Sequence, residues 1–187
     1  MLSLKGPRTE VIDLEGRFAS PGLIDNHLHL ISTGITMGWV DATPAAAPTL
    51  AALTARLAER AAETPKGGWV RARGYDQVKL DVGRHPTREE LDRAVPDHPV
   101  LLTRACGHVA IANSVALKLA GVTEATPVPD GGVIGLTDGR LNGFLAENAM
   151  NLIKAAMPEV TTEELIDGIE RGGRYLLSLG ITSCMDA

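Results

Sequence analysis

Hydrophobic and polar positions along this chain switch between two periods, and the switches mark its elements. Thr9 to Leu14 reads as a short strand, Glu15-Gly16 as a turn, and Phe18 to Ser20 as a further extended stretch closed by Pro21-Gly22. Leu23 to Leu30 is a mostly apolar run, the pattern of a strand buried on both faces. The Ala/Pro-rich segment Pro44 to Pro48 reads as a linker. Behind it Leu50, Leu53, Leu57 and Ala61 recur at helical spacing, with the charges of Arg56, Glu59, Arg60 and Glu63 largely off that stripe. This helix is expected to stop before Pro65, ahead of a turn at Gly67-Gly68.

Trp69 to Arg73 predicts a strand, and Thr87 with Glu90 a capping box that opens a short helix through Ala94. Pro99 to Arg104 is another apolar strand, followed by a helix capped at Asn113 or Ser114 and ending at Gly121. Val133 to Leu136 and Leu141 to Leu145 flank Asp138-Gly139, the strongest hairpin signal in the chain. Two helices are expected next, about Glu147 to Met157 and Thr162 to Leu179, the second with a capping box from Thr161 and Glu164. Ile181 to Met185 is a last apolar strand. Strands alternating with helices indicate the α/β class.

Composition narrows the function more than the fold. The 187 residues are 44% hydrophobic and 22% charged, with a net charge of −5 and both signs interspersed. No basic stripe or polybasic cluster exists, so the expected partners include neither nucleic acid nor an anionic membrane surface. Aromatics are 3% of the chain, leaving the core to Leu, Val, Ile and Ala. No apolar run reaches 18 residues, and Met1 to Arg8 lacks the apolar stretch of a signal peptide, so a cytoplasmic location is expected. Two cysteines, Cys106 and Cys184, read as ordinary buried thiols of a reducing compartment, with a disulfide between them as the alternative.

The chemistry concentrates at His27 and His29. Two apart on a strand, their side chains leave one face. At the C-terminal rim of a parallel barrel, two such imidazoles can share a divalent ion. Two merely solvated histidines on an exposed strand face are the alternative, because an isolated H-x-H is a weak motif.

The flanking residues sharpen this choice. Pro21-Gly22-Leu23-Ile24-Asp25-Asn26-His27-Leu28-His29 resembles the amidohydrolase superfamily signature P-G-[LF]-I-D-x-H-x-H, with every fixed position filled. Val11 to Arg17 is similar to the lead-in strand of that superfamily. Further matches are Gly74-Tyr75-Asp76, His85-Pro86-Thr87, Arg104-Ala105-Cys106-Gly107-His108, Asn113-Ser114-Val115-Ala116-Leu117, Gly143 to Glu147 and Gly180 to Ser183. Together they resemble the third amidohydrolase family, which includes N-substituted formamide deformylases. The resemblance implies part of a metal-dependent hydrolase (β/α)8 barrel, a remnant β-sandwich strand and a large α+β insertion. It also implies one or two divalent metals, usually Zn2+, that activate water against an amide, formamide or cyclic amide bond of a small-molecule substrate.

Carried onto this chain, the resemblance implies a sandwich remnant and lead-in over 1–20 and a first barrel strand with its following turn over 21–39. The insertion subdomain covers 40–158, and a barrel helix with the next strand 159–187. His27 and His29 become the metal ligands. Arg104, His108 and Asn113 become candidates for the substrate side of the pocket, where an Arg and a His beside a tight backbone suit a carbonyl or carboxylate. Pairing of Arg104 with a structural carboxylate, and loop capping by His108, stand beside that reading. Glu147 reads as a favourable acid in the first turn of a helix, with a pocket carboxylate as the alternative, and His85 and His98 as surface loop residues. Asp186, at the end of a strand, is a possible pocket residue or a partner in a salt bridge.

Complete family members add a strand lysine, two later histidines and a late aspartate. Here all five histidines lie at or before position 108. Both ends therefore look cut, and the chain alone is expected to be inactive. A non-catalytic fragment used for binding or assembly, with a possible homo-oligomer, is the alternative function.

Overall fold

The computed structural model describes residues 5–187. From the N-terminus its elements are β1 (Leu23–Leu28), α1 (Leu30–Thr36), β2 (Val40–Asp41), α2 (Leu50–Glu63), β3 (Val70–Tyr75), α3 (Arg88–Ala94), β4 (Val100–Arg104) and β5 (Val109–Ala112). There follow α4 (Ser114–Leu119), β6 (Val133–Thr137), β7 (Arg140–Ala146), a 3-10 turn (Glu147–Ala149), α5 (Met150–Lys154), α6 (Thr162–Ser178) and β8 (Ile181–Asp186).

These strands form two sheets. β1 and β8 make a parallel pair, with Leu23 opposite Ile181 and Leu28 opposite Asp186. The residues between them build a six-stranded sheet in the order β2-β3-β4-β5-β7-β6. β2, β3 and β4 run parallel, and the hairpins from β4 onward are antiparallel. Along β4 the side chains alternate between two cores, as a period of two requires. Val100 and Leu102 pack with Leu53, Leu57 and Leu91 from α2 and α3. Leu101 packs with Leu117, Met150 and Ile153 from α4 and α5. The large sheet is thus covered by helices on both faces.

Local chemistry accounts for most boundaries. Thr87 and Thr161 open α3 and α6 with reciprocal capping boxes to Glu90 and Glu164. Thr49 caps α2 by accepting the Ala52 amide. Asp138 and Gly139 both take positive φ, 51° and 75°, as a two-residue hairpin of this hand demands.

Several expectations need correction. Thr9 to Leu14 forms no strand: it has no ladder partner among the described residues, and Val11 and Ile12 lie exposed. The first strand stops at Leu28, and it is not buried on both faces. Leu23 and Ile24 are 60% and 69% exposed, because among the described residues β1 has only β8 beside it. The helix expected over Glu147 to Met157 is a 3-10 turn followed by the short α5. α1 and β5 are additions to the expected elements: α1 is seven residues with a glycine and four β-branched side chains, giving little helical signal. Both cysteines are free and exposed, so neither the buried nor the bridged reading holds.

The β1–β8 pair and the large sheet are tied by side chains. Arg171 of α6 first holds its own unit together by donating to the Gly34 carbonyl of α1. Arg71 of β3 lies 3.9 Å from Glu164, and Arg73 donates to the Thr36 hydroxyl. No helix of the described residues is long and apolar enough to cross a membrane.

Candidate functional site

His27 sits near the C-terminal end of β1, and His29 lies one residue beyond it, where the chain turns into α1. Their rings meet edge to face, with centroids 5.6 Å apart. Asp25 accepts the His27 amide at 3.0 Å, which braces the backbone ahead of the pair. The His29 ring is fixed from the other strand: its Nδ1 lies 2.7 Å from the carbonyl oxygen of Ala187. A carbonyl only accepts, so Nδ1 carries the proton and the Nε2 lone pair is left free. That is how a metal-binding histidine is oriented by its outer-shell partner. Two adjacent imidazoles, one with its tautomer set, suit a borderline divalent ion such as zinc. Among the described residues no group of three His, Cys, Asp or Glu side chains is close enough to hold an ion. Asp186 pairs in register with Leu28, one residue from His29, and is exposed.

The remaining candidates lie on the large sheet. Arg104 ends β4, with Nε donating to Gln77 Oε1 at 2.6 Å and Nη2 lying 3.6 Å from Asp76. His108, in the β4–β5 turn, contacts Glu147 through Nδ1 at 2.9 Å, and its carbonyl accepts the Glu147 amide. Glu147 holds its backbone at φ 50° there, in the left-handed region. Its hydrogen bond holds the His108 imidazolium above the usual histidine range. Glu147 thus opens its 3-10 turn and also grips a histidine, a role its helix-end position did not suggest. Between Arg104 and His108 stands Cys106, whose Sγ accepts the His108 amide at 3.4 Å. That hydrogen bond, helped by the Arg104 guanidinium, holds the thiol below its ordinary range.

Asn113 requires a correction. It is fully buried, and its Oδ1 accepts from the Val100 and Ala116 amides while Nδ2 donates to the carbonyls of Val95 and His98. With four bonds to backbone it has no capacity left for a substrate. It caps α4 and pins β4. His85 is also no free surface residue: it is half-buried between Tyr75 and Phe144, with Nδ1 2.9 Å from the Tyr75 hydroxyl. Burial pushes the Tyr75 phenol well up and the His85 imidazolium down, the latter helped by Arg104. Tyr75 therefore stays protonated and donates to a neutral His85. His98 is likewise occupied, 3.1 Å from the Gly68 carbonyl.

Among the described residues no hydrogen bond, ion pair or ring contact joins Arg104 or His108 to the histidine pair. The geometry brings together His27, His29 and the end of β8. It separately brings together Tyr75, Gln77, His85, Arg104, Cys106, His108 and Glu147. Tyr75 and Gln77 gave no chemical signal of their own, although Gly74-Tyr75-Asp76 lies in the matched pattern.

The family model described as amidohydrolase matches residues 10–187. The chain belongs to this amidohydrolase family. It is 35% identical over 183 residues to a Bacillus subtilis (strain 168) protein named as an amidohydrolase, YtcJ, a match covering 94% of this chain and 33% of that one. It is 32% identical over 186 residues to an N-substituted formamide deformylase of Arthrobacter pascens, covering 97% of this chain and 34% of the enzyme. The crystal structure of an uncharacterized metal-dependent hydrolase from Pyrococcus horikoshii superposes with a TM-score of 0.61 at 31% identity, over 88% of this chain and 30% of that one. The chain spans about a third of the length of the curated relatives it matches.

Proposed function

We propose that the chain supplies the first metal-ligand pair of a hydrolase that cleaves non-peptide C–N bonds of small molecules, in the class of amides, formamides or cyclic amides. The observation that carries this is the His29 ring. Its Nδ1–H is spent on the Ala187 carbonyl and its Nε2 is free beside His27, at the carboxyl end of a parallel strand. That is where barrel enzymes of parallel strands place their chemistry. His27 and His29 would hold the ion, zinc being the expected one, and the chemistry it supplies there is activation of water for hydrolysis. The formamide class rests on the named activity of the Arthrobacter relative. We assign Arg104 and His108 to the substrate side as cationic donors for a carbonyl or carboxylate, with Asp76, Gln77 and Glu147 setting their positions.

Measured on the whole protein, His27→Ala is expected to remove most turnover and lower metal affinity by more than about tenfold, since even outer-shell losses cost that much. Arg104→Ala or His108→Ala is expected to lower kcat/KM at unchanged metal content. Full occupancy and normal turnover in His27→Ala would sink the reading. The 187-residue chain alone should hydrolyse nothing, because two imidazoles fall one short of the three protein ligands a catalytic zinc takes.

A further inference from the structure

Both tryptophans of the chain, Trp39 and Trp69, line one cavity, although the whole of α2 separates them in sequence. Trp69 and Arg71 stand two apart at the start of β3, so their side chains leave one face while Val70 enters the core on the other. Glu164, Asp167 and Arg171 follow at spacings of three and four, which puts them along one face of α6. The loop after α1 brings Trp39, and α2 contributes Arg60. The cavity they enclose measures about 360 Å3, within the roughly 300–1,000 Å3 of small-molecule pockets.

Two of its arginines are committed to backbone. Arg60 donates to the Gly38 carbonyl at 2.9 Å, and Arg171 to that of Gly34 at 2.7 Å. Arg71 differs. Its side chain is only 12% exposed, yet its contact with Glu164 is 3.9 Å long, too far for a hydrogen bond. It donates no hydrogen bond to any described residue, and none of its nitrogens is sealed in by protein, so its donors open onto the cavity. A half-buried guanidinium carries five N–H donors that call for acceptors. Its Cζ also lies 6.0 Å from the centroid of the Trp39 ring, at the outer reach of a cation–π contact. Three arginines against Glu164 and Asp167 leave the cavity one net positive charge, which suits a monoanion.

We propose that this cavity binds a small aromatic carboxylate, with the carboxylate on Arg71 and the ring against Trp39 and Trp69. The planar fork of a guanidinium matches the two carboxylate oxygens, and indole faces offer flat apolar surface for an aromatic ring. The reading is independent of the metal pair, since neither His27 nor His29 lines this cavity.

The test uses the native chain and its indole fluorescence, which reports occupancy directly because both of its tryptophans line the cavity. Benzoate should change the emission saturably. Benzamide keeps the ring without the charge and should bind about tenfold more weakly. Cyclohexanecarboxylate keeps the charge without the aromatic ring and should bind about threefold more weakly. Arg71→Gln should weaken benzoate binding about tenfold, with circular dichroism checking that the variant folds. The exposed Asp167 supplies an arm of opposite sign: Asp167→Asn removes a like charge and should tighten binding. Emission that does not saturate with benzoate would overturn the proposal. So would equal affinity for benzoate and benzamide, a folded Arg71→Gln that binds normally, or an Asp167→Asn that binds no better than the native chain.

Discussion

The histidines of this chain illustrate how one side chain takes different chemical roles from its neighbours. His29 surrenders Nδ1 to the Ala187 carbonyl and keeps Nε2 free, whereas His85 accepts from a buried tyrosine and resists protonation. His108 is the reverse of His85: Glu147 favours its charged form. The pair should therefore titrate on opposite sides of the ordinary histidine value of about 6.5. The signs follow from linkage. For His108 the folded pKa is raised, so its contribution is fully present below about 6.5 and is lost as pH rises through the higher folded value. For His85 the folded pKa is lowered, so stability is lost as pH falls from about 6.5 towards that lower value. Proton NMR of the ring resonances should give two separated midpoints, with Glu147→Gln moving that of His108 back down. Coincident midpoints near 6.5 would contradict both environments.

At the scale of elements, the contact that braces the β1–β8 pair is the crossing of α1 and α6, the helices that follow β1 and precede β8. Gly34 faces Gly168 and Gly172 so closely that a Cβ on Gly34 would overlap the Gly168 carbonyl. A backbone atom cannot swing aside as a side chain does. Gly34→Ala should therefore destabilise the chain by about 1–3 kcal/mol, the usual cost of overpacking, read from the urea midpoint at unchanged slope. Gly173→Ala, where the added methyl meets open space, is the control and should cost little. This crossing was not legible in the sequence, because α1 is too short and too β-branched to give a helical period. Elements with a strong local signal were legible: the capped α3 and α6, the amphipathic α2 and the Asp138-Gly139 hairpin match the pattern closely. That His27 and His29 stand side by side was legible from their spacing of two. The roles of Asn113, His85 and Glu147 were not, because each is set by a partner 10 to 39 positions away.

Across the whole molecule, the apolar surface is distributed unevenly. The six-stranded sheet is covered on both faces, while Leu23, Ile24 and Met185 of the strand pair and Ile166, Ile169 and Leu177 of α6 are exposed. Among the described residues β1 and β8 each also present an unpaired edge. Exposed edges and apolar faces favour pairing with further chain. We expect the purified 187-residue chain to self-associate as concentration rises, observed by sedimentation velocity, and Ile24→Lys to weaken that association. A monodisperse monomer at high concentration would contradict this. The central claim, that His27 and His29 are a metal-ligand pair with His29 poised through Nε2, is tested most directly by nitrogen NMR of ring-labelled histidines during zinc titration. Nε2 of His29 and a ring nitrogen of His27 should shift together, Nδ1 of His29 should keep its proton, and His85, His98 and His108 should stay in place. Zinc moving those three histidines instead, or leaving the pair untouched at saturating concentration, would contradict it.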